Sequence, residues 1–485
     1  MIAFDDYASH DGLGLAELVA RKEVTPQELA ETALAAVEKV NPSLNGVIQT
    51  LPSEAKEAIE AGLPNGPFTG VPLFIKELVL HAKGVKCEMG SALARDLIPA
   101  ADTELMARLR RAGLVLCGTT QTPELGYSPT TEARLHGPVR NPWDLGRSAG
   151  GSSGGSAATV AAGVVPFAHG NDGGGSIRIP AACNGLVGFK PTRHRIPCGP
   201  DYGGELLFGL GIEFALTRTV RDTAALLDAV AGADAGAPGV PVPPAEPYLK
   251  AIATPPRRLR IAWTTRPMSG EAPDRDCEAA VHETVQLLED MGHVVVKDAP
   301  EYDWESFLQS THVVWMSFLA SGVAGLAAAF GRVPGPDNLE AVTLASYEEG
   351  KRYSVIDLLN ALGVQNTVSR QVGAFFETAD VLVTPTTAQL PRPLGEIDQD
   401  RAGMTPTEWT QQVFSYAPFT PVFNTTGQPA VSLPLHWTAT GLPVGVQLAG
   451  RFGDETTLLQ LAAELEQARP WKDRRPPVHV AAGKA

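Results

Sequence analysis

Cysteine is scarce and unpatterned in this chain. The five cysteines among 485 residues (Cys87, Cys117, Cys183, Cys198, Cys277) are odd in number and none forms a Cys-x-x-Cys pair, so neither a disulfide framework nor a zinc site is indicated. Basic residues are short as well. With 39 Lys and Arg against 54 Asp and Glu the net charge is −15, a poor footprint for neutralising phosphates, and nucleic-acid binding is disfavoured as a main function. The opening Met1-Ile2-Ala3-Phe4-Asp5-Asp6 lacks a basic stretch followed by an apolar run, so no secretory leader is expected and a reduced, cytoplasmic protein is the expectation. Metal-ligand clusters, a Walker loop and a dinucleotide fingerprint are all missing from the sequence, so no cofactor and no metal are implied.

What remains is a globular composition, 44% hydrophobic and 19% charged, long enough to bury a large core without staples. One stretch, Val313 to Gly331, carries no charge and is long enough to be tested as a membrane span. Ser317, Ser321, Gly322 and Gly325 interrupt it and alanine supplies much of the rest, so a buried or pocket-lining helix is expected.

Helix and strand signals alternate along the chain. Thr25-Pro26-Gln27-Glu28 reads as a capping box with proline at the first helical position. Leu29, Ala33, Leu34 and Val37 follow at helical spacing, and Asn41-Pro42 is expected to end the run. The apolar run from Gly70 to Lys76 reads as a buried strand with a lysine at its end. Thr103–Ala112 reads as helix, Leu114–Cys117 as strand, Ser153–Ala162 as helix and Val164–Ala168 as strand. Further strands are expected at Arg260–Trp263, His293–Val296, Val381–Pro385 and within Ala430–Leu448, with helix over Asp274–Met291 and through most of 300–375. Such alternation with short connections predicts an α/β fold whose sheet is mainly covered.

Two glycine-rich runs carry the chemistry. The first is Gly150-Gly151-Ser152-Ser153-Gly154-Gly155-Ser156, leading straight into the helix core Ala157–Ala162. Glycines packed before a helix let backbone N–H groups approach an anion, whereas a linker continues into polar sequence. In the second, Gly170–Arg178, three glycines precede Ser176, and the amides of Gly173, Gly174, Gly175 and Ser176 are arranged to form a nest of donors for an oxyanion. Ser176 would then be a nucleophile beside its own oxyanion hole, in need of a base. Three arrangements compete on the residues alone. Gly150–Gly154 matches the G-x-S-x-G elbow, which makes Ser152 the nucleophile of an esterase, but Asn141–Arg147 before it is not a buried strand. Ser53-Glu54-Ala55-Lys56 matches S-x-x-K without the accompanying S-D-N or K-T-G and reads as a solvated helix face. The third joins Lys76, Ser152 and Ser176. An exposed edge charge is the ordinary reading of such a lysine. Burial would lower its pKa from about 10.4 and leave a neutral amine as acceptor, with Ser152 as the relay to Ser176.

At these residues the sequence resembles the amidase signature family. The resemblance covers most of the chain, through Gly70–Lys76, Gly150–Ser156, Gly170–Arg178, Thr217–Asp222 and Asn424–Ala430, in the right order. Its texture is closest to the nylon-oligomer amidases acting on aminohexanoate cyclic dimers, which share runs like Arg140-Asn141-Pro142-Trp143 and His169-Gly170-Asn171-Asp172. The resemblance implies a single α/β domain with a mixed, largely covered sheet flanked by helices. It also implies a Ser–cis-Ser–Lys triad, with Ser176 acylated, Ser152 the relay, Lys76 the base and the Gly173–Ser176 amides the oxyanion hole. Segment by segment it divides the domain into an N-terminal helical part (1–69), a catalytic core (70–231), a Pro/Gly-rich loop (232–256), a variable pocket-forming middle (257–400), a return to the core (401–473) and a loosely held tail (474–485). Glu77 and Asn171 depart from the family pattern, where Asp and Thr are usual. Trp315 is a candidate pocket wall with a plain core tryptophan as its rival reading. Asp172 and Arg178 are expected to pair structurally, and Cys183 to act as a small buried hydrophobe.

The expected partner is a small-molecule amide, with anilides, esters and carbamates as related substrates. No nucleic acid and no membrane are expected, and a homodimer is the assembly considered. The rivals are an amidotransferase-type subunit of a larger assembly and a non-catalytic binding module.

Overall fold

The capping box at Thr25 forms as the sequence predicts: the Thr25 amide donates to the Glu28 carboxylate (3.0 Å) and the Glu28 amide donates to Thr25 Oγ1 (3.2 Å). The helix it opens, Pro26–Leu44, runs past the expected stop at Asn41–Pro42. Pro42 sits in the last turn, where its missing N–H forfeits a single hydrogen bond, and the end is made by Asn45 in the left-handed region (φ 56°).

The computed structural model describes residues 2–201 and 205–482. Among these the strands in chain order are β1 (Val47–Thr50), β2 (Pro72–Lys76), β3 (Val115–Thr120), β4 (Arg140–Asn141), β5 (Asp144–Ser148), β6 (Phe167–Asp172), β7 (Val187–Lys190), β8 (Ile212–Thr217), β9 (Arg260–Trp263), β10 (Val294–Lys297), β11 (Val381–Pro385), β12 (Ala430–Trp437) and β13 (Pro443–Gly450). Eight of them make one mixed sheet in the order β10-β9-β11-β13-β12-β7-β8-β6. Within it β9 is parallel to β10 and β11, and the other pairs are antiparallel. A smaller sheet, β1-β3-β2, brings β2 against β6. Every residue of β2, β6, β8, β11 and β13 is buried, as expected for strands covered on both faces.

The strand expected at Val164–Ala168 begins only at Phe167 and runs to Asp172. Pro166 has no amide to give a ladder, and the Val164 amide is already bonded to the Thr159 carbonyl (3.1 Å). The Pro/Gly-rich loop contains one short helix, Tyr248–Ala251, whose first amides donate to the Asp228 carboxylate. The tail is tied down rather than loose as far as Ala482. Val480 is fully buried, its amide donates to the Ala162 carbonyl (2.9 Å), and its carbonyl accepts from Lys39 Nζ (2.6 Å). Residues 483–485 of that segment lie outside the described residues.

The uncharged stretch belongs to the helix Trp304–Phe330, by length and composition apolar enough to cross a membrane. Its Phe307, Val314, Met316, Leu319 and Val323 are buried in the domain, while Ser321, Gly322, Ala324 and Gly325 are exposed. It packs against two further helices, Ala341–Gly350 and Val355–Phe375.

Candidate active site

The seam between the two sheets sets the site. Lys76 ends β2, where the all-apolar run Pro72–Ile75 drags it inside, and its side chain is fully buried. Its Nζ donates to Asn171 Oδ1 on β6 (2.5 Å) and to Ser153 Oγ (3.1 Å), and lies 2.7 Å from Ser152 Oγ. Burial pushes the lysine down to about 7, against the pull of the Glu213 and Asp172 carboxylates.

The hydrogen-bond inventory of a neutral amine is two donors and one lone pair. Asn171 Oδ1 can only accept, since its Nδ2 donates to the Leu78 carbonyl (2.9 Å). Ser153 Oγ donates to the Asn171 carbonyl (3.2 Å), so it too accepts from Lys76. In the neutral form these two acceptors take both N–H donors and leave the lone pair for Ser152, whereas in the ammonium form the third N–H donates to Ser152 Oγ. The Gly151–Ser152 peptide is cis. It follows the small β4–β5 hairpin and not a strand of the main sheet, so the context of a nucleophile elbow is missing.

Ser176 follows β6 by four residues and is half-buried. The loop that carries it is built on Asp172, whose carboxylate accepts the amides of Gly175 (2.7 Å) and Ile177 (3.1 Å). The Gly175 amide, grouped with the oxyanion nest in the sequence, is therefore spent internally and falls out of that expected set. Arg178 grips Asp172 with Nε and Nη2 (2.9 Å each), both side chains fully buried, so the pair is structural as expected. Burial opposes ionisation of Asp172, but the Arg178 charge and hydrogen bonds outweigh it and hold the carboxyl well below the usual range. Asn424 closes the loop by donating to the Asp172 backbone carbonyl (2.8 Å) and accepting from Arg178 (2.6 Å).

A sequence model of the Amidase family matches residues 28–459. This chain belongs to the amidase signature family. It is 37% identical over 481 residues to a 6-aminohexanoate-cyclic-dimer hydrolase of Paenarthrobacter ureafaciens, covering 96% of each chain. Its fold superposes on a solved 6-aminohexanoate cyclic dimer hydrolase with a TM-score of 0.93 at 35% identity, covering 97% of this chain and 99% of the other. A bacterial aryl acylamidase of the amidase signature family superposes with a TM-score of 0.86 at 25% identity, over 98% and 99% of the two chains. It is accordingly an amidase-family hydrolase of amides, with the single-domain α/β fold built on a mixed sheet flanked by helices.

Two cavities of this amidase meet at Ser176. The larger, ≈ 260 Å³, is walled by aliphatic side chains such as Leu78, Val79, Met89 and Leu207. The smaller, ≈ 50 Å³, is lined by Tyr127, Ile179, Trp409 and Phe414. Trp315, Gly126 and Ser176 line both. The Trp315 ring lies 5.4 Å from that of Tyr127, and the half-buried side chain lines both cavities while also packing on the apolar clusters around them. Departures from the family pattern are accommodated locally: the buried Glu77 carboxylate accepts the amides of Glu88 (3.2 Å) and Gly90 (3.0 Å). Cys183 is buried with its thiol pushed up to about 12 by desolvation, as befits a small hydrophobe. Ser53, Glu54 and Lys56 lie on the exposed face of the helix Pro52–Glu60.

Sequence reasoning missed the roles of Ser153 and Asn171 as the acceptors that orient Lys76. The signal was present, since both stand beside singled-out residues, but only the packing of β2, β6 and the helix Gly154–Ala161 shows that they converge. It also missed Tyr127 and Phe318 as pocket walls, for which single-chain patterning carries no signal.

Proposed function

We propose that this amidase cleaves small-molecule amides through an acyl-enzyme on Ser176, with Ser152 as relay and Lys76 as base. Ser176 Oγ attacks the carbonyl carbon as its proton passes to Ser152 Oγ and the Ser152 proton passes to Lys76 Nζ. The oxyanion is met by the amides of Gly173, Gly174 and Ser176. The C–N bond breaks as Ser152 returns a proton to the departing amine and Lys76 restores the proton of Ser152. Water then attacks the acyl group by the same relay and releases the carboxylic acid. The observation that carries this reading is the buried Lys76 Nζ, 2.7 Å from Ser152 Oγ and within hydrogen-bond reach of Asn171 and Ser153, which can take the two N–H donors a neutral amine keeps.

The cavities support an amide with an apolar aliphatic portion in the larger pocket and a compact group against Trp315 in the smaller. The aminohexanoate cyclic dimer and aryl acylamides, after which relatives are named, are the first substrates to test, with anilides, esters and carbamates as variants of the same acyl transfer. Lys76, Ser152 and Ser176 all come from one chain, which supports a self-sufficient hydrolase over an amidotransferase-type subunit; turnover by the isolated chain is the expected outcome. Peptide mapping after labelling with a fluorophosphonate tests the nucleophile. A single adduct on Ser176 is expected, and an adduct on Ser152 overturns the assignment.

A further inference from the structure

Asn171 on β6 stands directly opposite Glu213 on β8, so their side chains leave the same face of the sheet. Asn171 meets Lys76 Nζ at 2.5 Å, which puts Glu213 on the lysine's side. His169, two residues earlier in β6, shares that face, and its Nε2 donates to Glu213 Oε2 at 2.7 Å. Both side chains are at most 2% exposed, and neither His169 Nδ1 nor Glu213 Oε1 has a hydrogen-bond partner.

The charges around Lys76 are not equivalent. Asp172, on the same strand, is neutralised by its two-pronged contact with Arg178. Glu213 has a histidine as partner and no permanent cation. The other elements packed on Lys76 present neutral groups to it, Ser152 and Ser153 beside the nucleophile loop and Thr120 on β3. Around Glu213 the further titratable neighbours are the Cys87 and Cys198 thiols, which burial first and nearby carboxylates second push up and so keep neutral.

We propose that Glu213, held in place by His169, is the counter-charge of Lys76, a positioning residue that stabilises the buried ammonium formed when Lys76 takes the proton of Ser152. A buried cation needs a partner, and Glu213 is the neighbouring carboxylate whose charge is not already matched. No proton passes to Glu213. Lys76 regains neutrality by returning its proton to Ser152. The proposal rests on the reading of Lys76 as the base. The lowered pKa of Lys76, partly restored by Glu213, agrees with this arrangement.

The test is the pH dependence of Ser176 labelling by a fluorophosphonate in the wild type, Glu213→Gln, Glu213→Asp and Lys76→Ala. Glu213→Gln is expected to move the acidic limb about one unit toward lower pH, because the lysine loses an attracting charge, and Glu213→Asp to restore it. A folded Glu213→Gln with an unmoved limb, beside a Lys76→Ala that no longer labels, overturns the counter-charge and leaves the base standing. A Lys76→Ala that labels normally overturns both. Should Glu213→Gln fail to fold, His169→Leu, which removes the donor holding Glu213, must shift the limb in the same direction, and an unmoved limb overturns the proposal.

Discussion

Lys76 Nζ lies 2.7 Å from Ser152 Oγ although the two residues are 76 positions apart, one at the end of β2 and the other in the loop after the β4–β5 hairpin. Because the contact is fully buried, it is an energetic liability as well as the proton relay proposed above, and both aspects are measurable.

The pH dependence follows from the lysine held near 7. Activity rises as pH increases through about 7, where Lys76 becomes able to accept a proton. Stability has the same sign but another window. The unfolded lysine titrates near 10.4, so between about 7 and 10.4 the unfolded chain binds more protons and the folding free energy contributed by this group improves with pH. Urea melts of wild type and Lys76→Met across that range should show the extra slope in the wild type alone.

Lys76→Ala should lower kcat/KM by roughly 10²- to 10⁴-fold while leaving the circular dichroism spectrum intact. Ser152→Ala should do the same. Under the proposed relay the double variant should fall no further than the worse single variant, and a multiplicative loss would show that the two act separately.

Asp172→Ala removes the partner of a fully buried arginine together with the acceptor of the Gly175 and Ile177 amides. We expect a loss of about 3–5 kcal/mol in urea unfolding, along with loss of Ser176 labelling. An exposed pair such as Lys56–Glu60 is the control, and its removal should cost less than about 0.5 kcal/mol.

Gly175 adopts φ +135°, and a Cβ there would come within 2.4 Å of Thr420 Oγ1 and 2.7 Å of Ile179 Cδ1. Gly175→Ala should therefore displace the nucleophile loop, costing about 1–3 kcal/mol and most of the labelling rate. A variant as stable and as reactive as the wild type would show that the loop tolerates another path.

Trp315 divides the space around Ser176. Trp315→Ala should join the two cavities and raise the relative kcat/KM for a bulky anilide over a small aliphatic amide by about tenfold or more. An unchanged ratio would place selectivity elsewhere in the pocket.

Local signals determined much of this protein. The capping box at Thr25, the apolar run that ends in Lys76, and the glycines before Ser176 each act over a few residues, so their structural consequences can be read without the fold. The α/β class followed from their alternation, and the family from the order of several such runs. Boundaries were less legible. Pro42 sits inside a helix because Asn45 supplies the real stop, and the tail near Val480 is held by contacts with Ala162 and Lys39 from distant parts of the chain. What only the tertiary structure decided are the properties that depend on who is near whom. Burial sets the basicity of Lys76, the packing of β2 against β6 and the helix Gly154–Ala161 chooses Asn171 and Ser153 as its acceptors, and the β6–β8 register sets Glu213 opposite Asn171. Desolvation and Coulomb attraction act through space between side chains far apart in sequence, and no pattern along a single chain encodes those distances.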